Sequence, residues 1–314
     1  MTHYDDAIRN MLHESDGASF DKSRSVNQDL TFIFAEKYFA ENNLPFSYSN
    51  KRTLNLVDAD GYYTNAALLL SEQCEHGIKC AVYEGTGKTK FKARKEFYGS
   101  ILKQMDDVYE YLSLNNNLNS VFDGLKRVDH PDYPAYALRE ALLNAVVHRD
   151  YDYSGSTLIS IFDNRIEFVS LGGLVKGITI EDIMGGISQT RNPLVANVFF
   201  RLELIESYGT GIQRIMESYE GCLHTPVFRP APASFVVTLP KMVNGVMLAG
   251  DGDFSKEELI LRMIAAKGAI TRTEAEMLLG TTKNPTIIFL NRLLRDRKII
   301  KIGSARAVKY MLPK

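Results

Sequence analysis

The spacing of hydrophobic positions changes along this chain, and the change predicts an α+β fold. Between Leu138 and Val146, apolar residues recur at intervals of three and four, the period of a helix packed on a core. Two runs rich in β-branched and aromatic residues follow at 157–162 and 166–170, with Asp-Asn-Arg between them. The pattern therefore predicts a buried helix followed by a strand hairpin.

The predicted helix also carries polar residues at one repeating position. Glu140, Asn144 and His148 are four apart, so they share one face. The second strand ends at Gly172-Gly173, where a backbone without side chains can approach a ligand closely. This layout indicates a binding site. For His148 the alternatives are a metal ligand, a phosphate acceptor or a cap at the helix end, and the cap is favoured.

A second glycine motif follows at Gly209-Thr210-Gly211, where it opens another amphipathic helix. Free backbone N–H groups and the helix dipole make such a start suitable for a phosphate. Alone, the motif is more typical of a simple helix-start turn. Its order after the polar helix and the two glycines strengthens the phosphate interpretation.

Together, these motifs resemble the ATP-binding (GHKL) fold shared by gyrase, histidine kinases and related ATPases. They are most similar to a divergent branch found in bacterial transcriptional regulators with a Schlafen/AlbA-like N-terminal domain. The matching segments are REALLNAVVHRDY, the glycines after the hairpin, RNP at 191–193 and ESYGTGIQRI. The resemblance covers roughly residues 21–314 and is most specific at 133–215. The AlbA-like domain itself is not expected in this chain.

The resemblance implies a site for ATP or a related nucleotide with magnesium. Glu140 would be the catalytic residue that positions water, and Asn144 would hold the metal. The implied nucleotide-binding residues are Asn144, Ser170, Gly172, Gly173, Arg191, Asn192, Gly209, Thr210 and Gly211. For Arg191 and Asn192, a role in ending a loop is an equal alternative.

One position departs from the wider ATPase pattern. Ser170 stands where that fold has an aspartate that recognises the adenine amino group. Serine is shorter and neutral, so it offers a weaker hydrogen bond than a carboxylate does. We therefore expect slow hydrolysis or none.

The C-terminal pattern changes to short helices. We predict helices at 256–266, 272–279 and 284–297, a short strand at 268–270, and a hairpin formed by 298–302 and 307–312. Thr271 and Glu274 are spaced as a capping box. This order resembles a winged helix-turn-helix. The implied DNA-binding residues are Thr282, Lys283, Asn284, Thr286, Arg292, Arg306 and Lys309.

Charge separates the two ends of the molecule. Residues 252–314 contain thirteen Lys and Arg against six Asp and Glu, a balance of +7, whereas the whole chain has a net charge of −1. The remaining residues therefore carry −8. A basic module on an acidic body favours double-stranded DNA as its partner over another protein.

The sequence Gly85-Thr86-Gly87-Lys88-Thr89 is similar to the end of a P-loop. The complete motif requires a glycine five residues before Gly87, and Val82 occupies that position. A solvated basic loop is the favoured interpretation.

The N-terminal half is expected to add a further α/β layer. We predict helices at 28–43 and 96–114, a helix beginning within 62–70, a strand at 79–83 and a polar linker at 115–119. The expected domains are an N-terminal α/β segment at 1–120, the GHKL-like domain at 121–245 and the winged helix at 252–314. A further strand is predicted at 234–239, near the C-terminal end of the second domain.

Composition narrows the class of protein. Hydrophobic residues make up 45% and charged residues 24%, as in ordinary soluble proteins. There is no run of eighteen apolar residues, no signal-peptide pattern, and the three cysteines are not spaced as a zinc site. A cytoplasmic location and no membrane partner are expected. A homodimer is compatible with the sequence.

These features predict a transcriptional regulator that binds DNA and senses a nucleotide. The first alternative is a magnesium-dependent ATPase acting on or with DNA. The second is an inactive ATPase-like scaffold.

Overall fold

The computed structural model describes residues 19–123, 126–206, 209–220, 222, 224–243, 246–247, 255–279, 283–303 and 308–313. Within these residues the fold mixes helices with one large sheet and three small ones.

The helices and strands alternate along the chain. The helices are α1 (Ile33–Glu41), α2 (Tyr48–Thr53), α3 (Asn65–Leu70), α4 (Ile101–Leu114), α5 (Ala135–Val147), α6 (Ile180–Met184), α7 (Pro193–Arg201), α8 (Gly211–Glu217), α9 (Lys256–Lys267), α10 (Arg272–Leu279) and α11 (Lys283–Arg295). The strands are β1 (Ile78–Tyr83), β2 (Phe91–Phe97), β3 (Leu118–Asp123), β4 (Lys126–Pro131), β5 (Thr157–Ile161), β6 (Arg165–Leu171), β7 (Val227–Ala231), β8 (Ser234–Pro240), β9 (Met242–Val243), β10 (Val246–Met247), β11 (Ala269–Ile270), β12 (Ile300–Ile302) and β13 (Lys309–Met311).

The central sheet has the strand order β2-β1-β5-β6-β8-β7. β1 and β5 run parallel, and the other neighbouring strands run antiparallel. In β6, Ile166 and Phe168 are almost completely buried and lie opposite Leu239 and Val237 of β8. Helices α4 and α5 contact each other and the sheet, so the core lies between them and the strands.

Helix α5 is the core helix that the periodicity predicted. Leu138, Ala141, Leu142 and Val146 are among its buried residues, because the helix packs on β6, on α8 and on α4. The predicted hairpin is formed by β5 and β6, and the predicted strand at 234–239 is β8.

The N-terminal predictions are only partly confirmed. The helix predicted at 28–43 is limited to α1, and the one predicted at 96–114 begins at Ile101. The preceding residues form β2, which sequence patterning missed because six consecutive residues of that strand are exposed and show no alternation. The expected linker at 115–119 is also shorter, since β3 begins at Leu118.

The C-terminal elements follow the predicted order. Helices α9, α10 and α11 are accompanied by a three-stranded sheet with the order β11-β13-β12. The capping box before α10 is present: Glu274 N donates to Thr271 Oγ1 at 3.3 Å, and Thr271 N donates to Glu274 Oε2 at 2.6 Å.

Candidate functional site

A pocket of about 550 Å³ lies between α5, the central sheet and the start of α8. Its size is within the usual range for small-molecule sites. Glu140, Asn144 and His148 contribute to its wall, as do residues of the 209–211 motif. The apolar part of the wall includes Phe168, Phe235 and Val237. Folding thus joins the two polar motifs that the sequence separates by about sixty residues.

Glu140 and Asn144 are hydrogen-bonded to each other. Asn144 Nδ2 donates to the Glu140 backbone oxygen at 2.9 Å and to Glu140 Oε1 at 3.2 Å. This arrangement leaves Asn144 Oδ1 as the amide's acceptor atom. Burial raises the pKa of Glu140 above its ordinary value, although nearby Arg139 opposes the shift. The pair therefore presents oxygen atoms to a partly desolvated space.

The Glu140 carboxylate lies directly against the first residue of α8. A Cβ atom at Gly211 would overlap Glu140 Oε1 and would lie 2.8 Å from Glu140 Cδ. Gly211 therefore allows the two helices to approach at this point. The same contact brings the predicted catalytic carboxylate and the predicted phosphate-binding turn into one location.

The two glycines at the end of β6 lie close to other parts of the chain. Gly172 has a φ of +93°, and a Cβ there would be 2.5 Å from Asp150 Cβ. A Cβ on Gly173 would be 2.5 Å from the carbonyl oxygen of Ala231. Both residues line the pocket, but their close approaches are to the protein's own chain. Internal packing therefore requires a residue without a side chain at both positions.

Ser170 also lines the pocket and is nearly buried. Its hydroxyl donates a hydrogen bond to the carbonyl oxygen of Ala145 at 2.9 Å. This bond links β6 to α5 and uses the hydroxyl proton of Ser170.

The structure corrects the expectation for Arg191 and Asn192, since neither lines the pocket. Asn192 is fully buried, and its amide donates to the backbone oxygens of Val147 at 2.9 Å and Arg149 at 2.7 Å. Arg191 donates to the Gly173 oxygen at 3.1 Å and forms a 3.1 Å ion pair with Asp150. These contacts stabilise the loop before α7, which was the alternative interpretation.

His148 occupies the C-cap position of α5. Burial lowers its pKa to about 4, even though a hydrogen bond to the backbone of Gln189 favours the charged form. The imidazole is therefore neutral at pH 7. Across the described residues, no group of three or more His, Cys, Asp or Glu side chains is arranged to hold a metal ion.

Two cationic residues in the pocket wall were not predicted. Arg139 donates to the backbone oxygen of Leu204 at 2.6 Å. Arg214 pairs with Glu206 at 2.7 Å and contacts the hydroxyl of Tyr136 at 3.4 Å. The only sequence signal for them is proximity, since Arg139 precedes Glu140 and Arg214 lies one helical turn after the glycine motif.

The predicted DNA-binding residues differ in their accessibility. Asn284 at the start of α11 and Lys309 in β13 are exposed. Arg292 is 54% exposed and pairs with Glu257 at 2.6 Å. Thr286 is fully buried, so its predicted role as a DNA-binding residue is wrong. Thr282, Arg306 and the side chain of Lys283 lie outside the described residues.

The P-loop-like motif at 85–89 lies in the loop that joins β1 to β2. A P-loop requires a strand followed by a helix, whereas this loop is followed by an antiparallel strand. The alternative of a basic loop is therefore the better description. Lys88 forms a 3.3 Å ion pair with Glu167.

None of the helices in the described ranges is long and apolar enough to cross a membrane.

Comparison with known proteins supports the ATPase interpretation of the central sheet. A family model described as "Putative ATP-dependent DNA helicase recG C-terminal" matches residues 155–239. This range includes the strand hairpin and both glycine motifs, but it begins after Glu140 and Asn144. No curated protein matches the chain.

A crystal structure of the DIP2311 protein from Corynebacterium diphtheriae has a similar fold, with a TM-score of 0.63 and 21% sequence identity. The match covers 97% of this chain and 66% of that one, so this chain spans less than two thirds of its structural neighbour. Similarity at this level of identity concerns the fold alone. The family match supports an ATPase-like domain for residues 155–239.

Proposed function

We propose that the pocket between α5 and α8 binds the phosphate end of ATP or a related nucleotide, and that this binding regulates a DNA-binding protein. The observation that carries the proposal is the meeting of Glu140, Asn144 and Gly211 in one pocket. Arg139 and Arg214 in the same wall supply positive charge suited to phosphate oxygens.

The donor atoms at this site fit magnesium. Glu140 and Asn144 offer oxygen ligands, and magnesium binds few protein ligands because it keeps several waters and shares phosphate oxygens. These two residues would hold the ion, which would neutralise charge on the phosphates. Ser170 offers a base no carboxylate, so we propose that selectivity for adenine is weak.

Calorimetric titration of the full chain with ATP, in magnesium and in EDTA, tests this proposal. We expect Asn144→Ala to weaken binding in magnesium about tenfold, equivalent to about 1.4 kcal/mol, with little change in EDTA. Asn42→Ala is the matched control, because Asn42 likewise donates to the backbone oxygen four residues earlier. A wild-type protein without magnesium-dependent nucleotide binding would contradict the proposal.

For the C-terminal helices and strands, we propose a winged helix that binds duplex DNA. The charge balance of +7, and the exposure of Asn284 and Lys309, support this assignment. Binding by the full chain should weaken steeply between 50 and 200 mM salt. Lys309→Gln should weaken all sequences alike and reduce the salt slope by about 1, as a phosphate contact would. A slope unchanged by Lys309→Gln would remove this residue from the interface.

A magnesium-dependent ATPase remains the second candidate, because the Glu140 side chain reaches the pocket beside Gly211. A carboxylate with a raised pKa is also a better general base than an ordinary one. Brisk ATP turnover that disappears in Glu140→Gln would favour this candidate over a nucleotide sensor.

A further inference from the structure

The hairpin formed by β1 and β2 concentrates positive charge. Residues 79–96 contain six Lys and Arg against two Asp and Glu, a balance of +4. Outside this segment and residues 252–314, the chain has eighteen Lys and Arg against thirty Asp and Glu, a balance of −12. The hairpin is therefore a local basic feature on an acidic body. Its cationic residues are Lys79, Lys88, Lys90, Lys92, Arg94 and Lys95.

The position of β2 exposes these cations. The strand lies at the edge of the central sheet, where its described neighbour is β1. Its first six residues are exposed, so both faces of this part of the strand meet solvent. Phe91 itself is 56% exposed. β2 and the loop before it thus form an exposed ribbon along the edge of the sheet, whereas β1 lies inside the sheet between β2 and β5.

Within the described residues, four of these six cations have a carboxylate within 4 Å. Lys79 lies 3.1 Å from Glu96, and Lys88 lies 3.3 Å from the buried Glu167. Lys90 lies 3.9 Å from Glu84, and Lys92 lies 2.9 Å from Asp163, but both pairs are solvent-exposed and therefore weak. Arg94 lies 5.9 Å from the ring centroid of Phe91. Such a ring orients a guanidinium group without neutralising it.

We propose that this ribbon binds the phosphate backbone of duplex DNA, independently of base sequence. Lys and Arg side chains on an exposed ribbon are suited to phosphate oxygens. This surface is separate in sequence from the module proposed above, and it gives the basic loop at 85–89 a function.

A competing explanation is that the lysines prevent edge-to-edge pairing of β2 with another chain. The two explanations predict different results when the lysines and arginines of β2 and the loop before it are replaced by neutral residues. The first predicts weaker DNA binding, and the second predicts self-association with DNA binding unchanged.

The test is fluorescence anisotropy of the full chain with a labelled 20-bp duplex and with the matching single strand. The variant is Lys90→Gln with Arg94→Gln, because neither residue has a buried partner. The control is Lys37→Gln with Lys103→Gln, which makes the same change of charge on exposed residues of α1 and α4.

We expect the hairpin variant to bind the duplex at least about tenfold more weakly at 100 mM salt, with a salt slope shallower by about 2. The control should bind like the wild type. Equal duplex affinity in the hairpin variant and the control would overturn the proposal, with or without self-association. A loss confined to the single strand would also overturn it. Lys309→Gln, measured alongside, reports the C-terminal module separately, so either assignment can fail alone.

Discussion

The tripeptide Gly-Thr-Gly occurs twice in this protein, and its two copies lie in opposite environments. At 85–87 it forms an exposed hairpin loop, where a Cβ on either glycine would meet nothing within 4 Å. At 209–211 a Cβ on Gly209 would overlap the backbone oxygen of Gly186, and one on Gly211 would overlap the Glu140 carboxylate. The same three residues lie beside open space in one place and against other parts of the chain in the other. Tertiary contacts make the difference.

The largest difference in stability should appear when the first glycine of each copy is replaced by alanine. Both have positive φ, +66° at Gly209 and +78° at Gly85, so alanine is strained in either position. In Gly209→Ala the overlap with Gly186 adds to this strain, and we expect the free energy of unfolding to fall by about 3 kcal/mol. Gly85→Ala should lose only about 1 kcal/mol. Equal losses in guanidinium unfolding would show that the two environments are alike.

The next effect concerns the second glycine and nucleotide binding. In Gly211→Val the added atoms would displace the flexible Glu140 carboxylate, so the fold should survive while the pocket changes. We expect nucleotide affinity to fall on the order of tenfold or more. Gly87→Val is the matched control and should bind like the wild type. Unchanged affinity in a folded Gly211→Val protein would exclude the turn from the site.

A smaller effect should appear in the pH dependence of stability. Because burial raises the pKa of Glu140, the folded state holds this proton more tightly than the unfolded state does. The free energy of unfolding therefore falls as the pH rises above 4.5, the ordinary value for glutamate. Glu140→Gln should remove this loss. The gain in free energy of unfolding of the variant over the wild type should therefore be larger at pH 7 than at pH 4. Parallel pH profiles for the variant and the wild type would contradict the assigned burial.

The smallest effect is expected at Gly87. Its φ is not in the left-handed region, and a Cβ would enter open space. Gly87→Ala should therefore change stability by less than about 1 kcal/mol, with slight stabilisation from reduced freedom of the unfolded chain. Thermal melts can measure this, and a loss comparable to that of Gly209→Ala would show that the loop is packed.

Much of the secondary structure could be predicted because its signals are local. The apolar period of α5 and the β-branched runs of β5 and β6 each lie within a few residues, so their type and approximate bounds were correct. The capping box at Thr271 and Glu274 likewise involves two residues that are close in the chain. β2 was missed because an edge strand exposed on both faces carries no alternating pattern.

The sequence by itself determined which residues could form a site: the Glu140 and Asn144 face, and a glycine turn at a helix start. The tertiary structure decided which of them meet, because that depends on chain segments distant in sequence. It placed the Glu140 carboxylate on Gly211, but it turned Ser170 toward Ala145 and buried Asn192 among backbone oxygens. It also buried Thr286, which no local pattern distinguishes from an exposed residue at a helix start. Burial is a property of packed neighbours, and those neighbours exist only after the chain has folded.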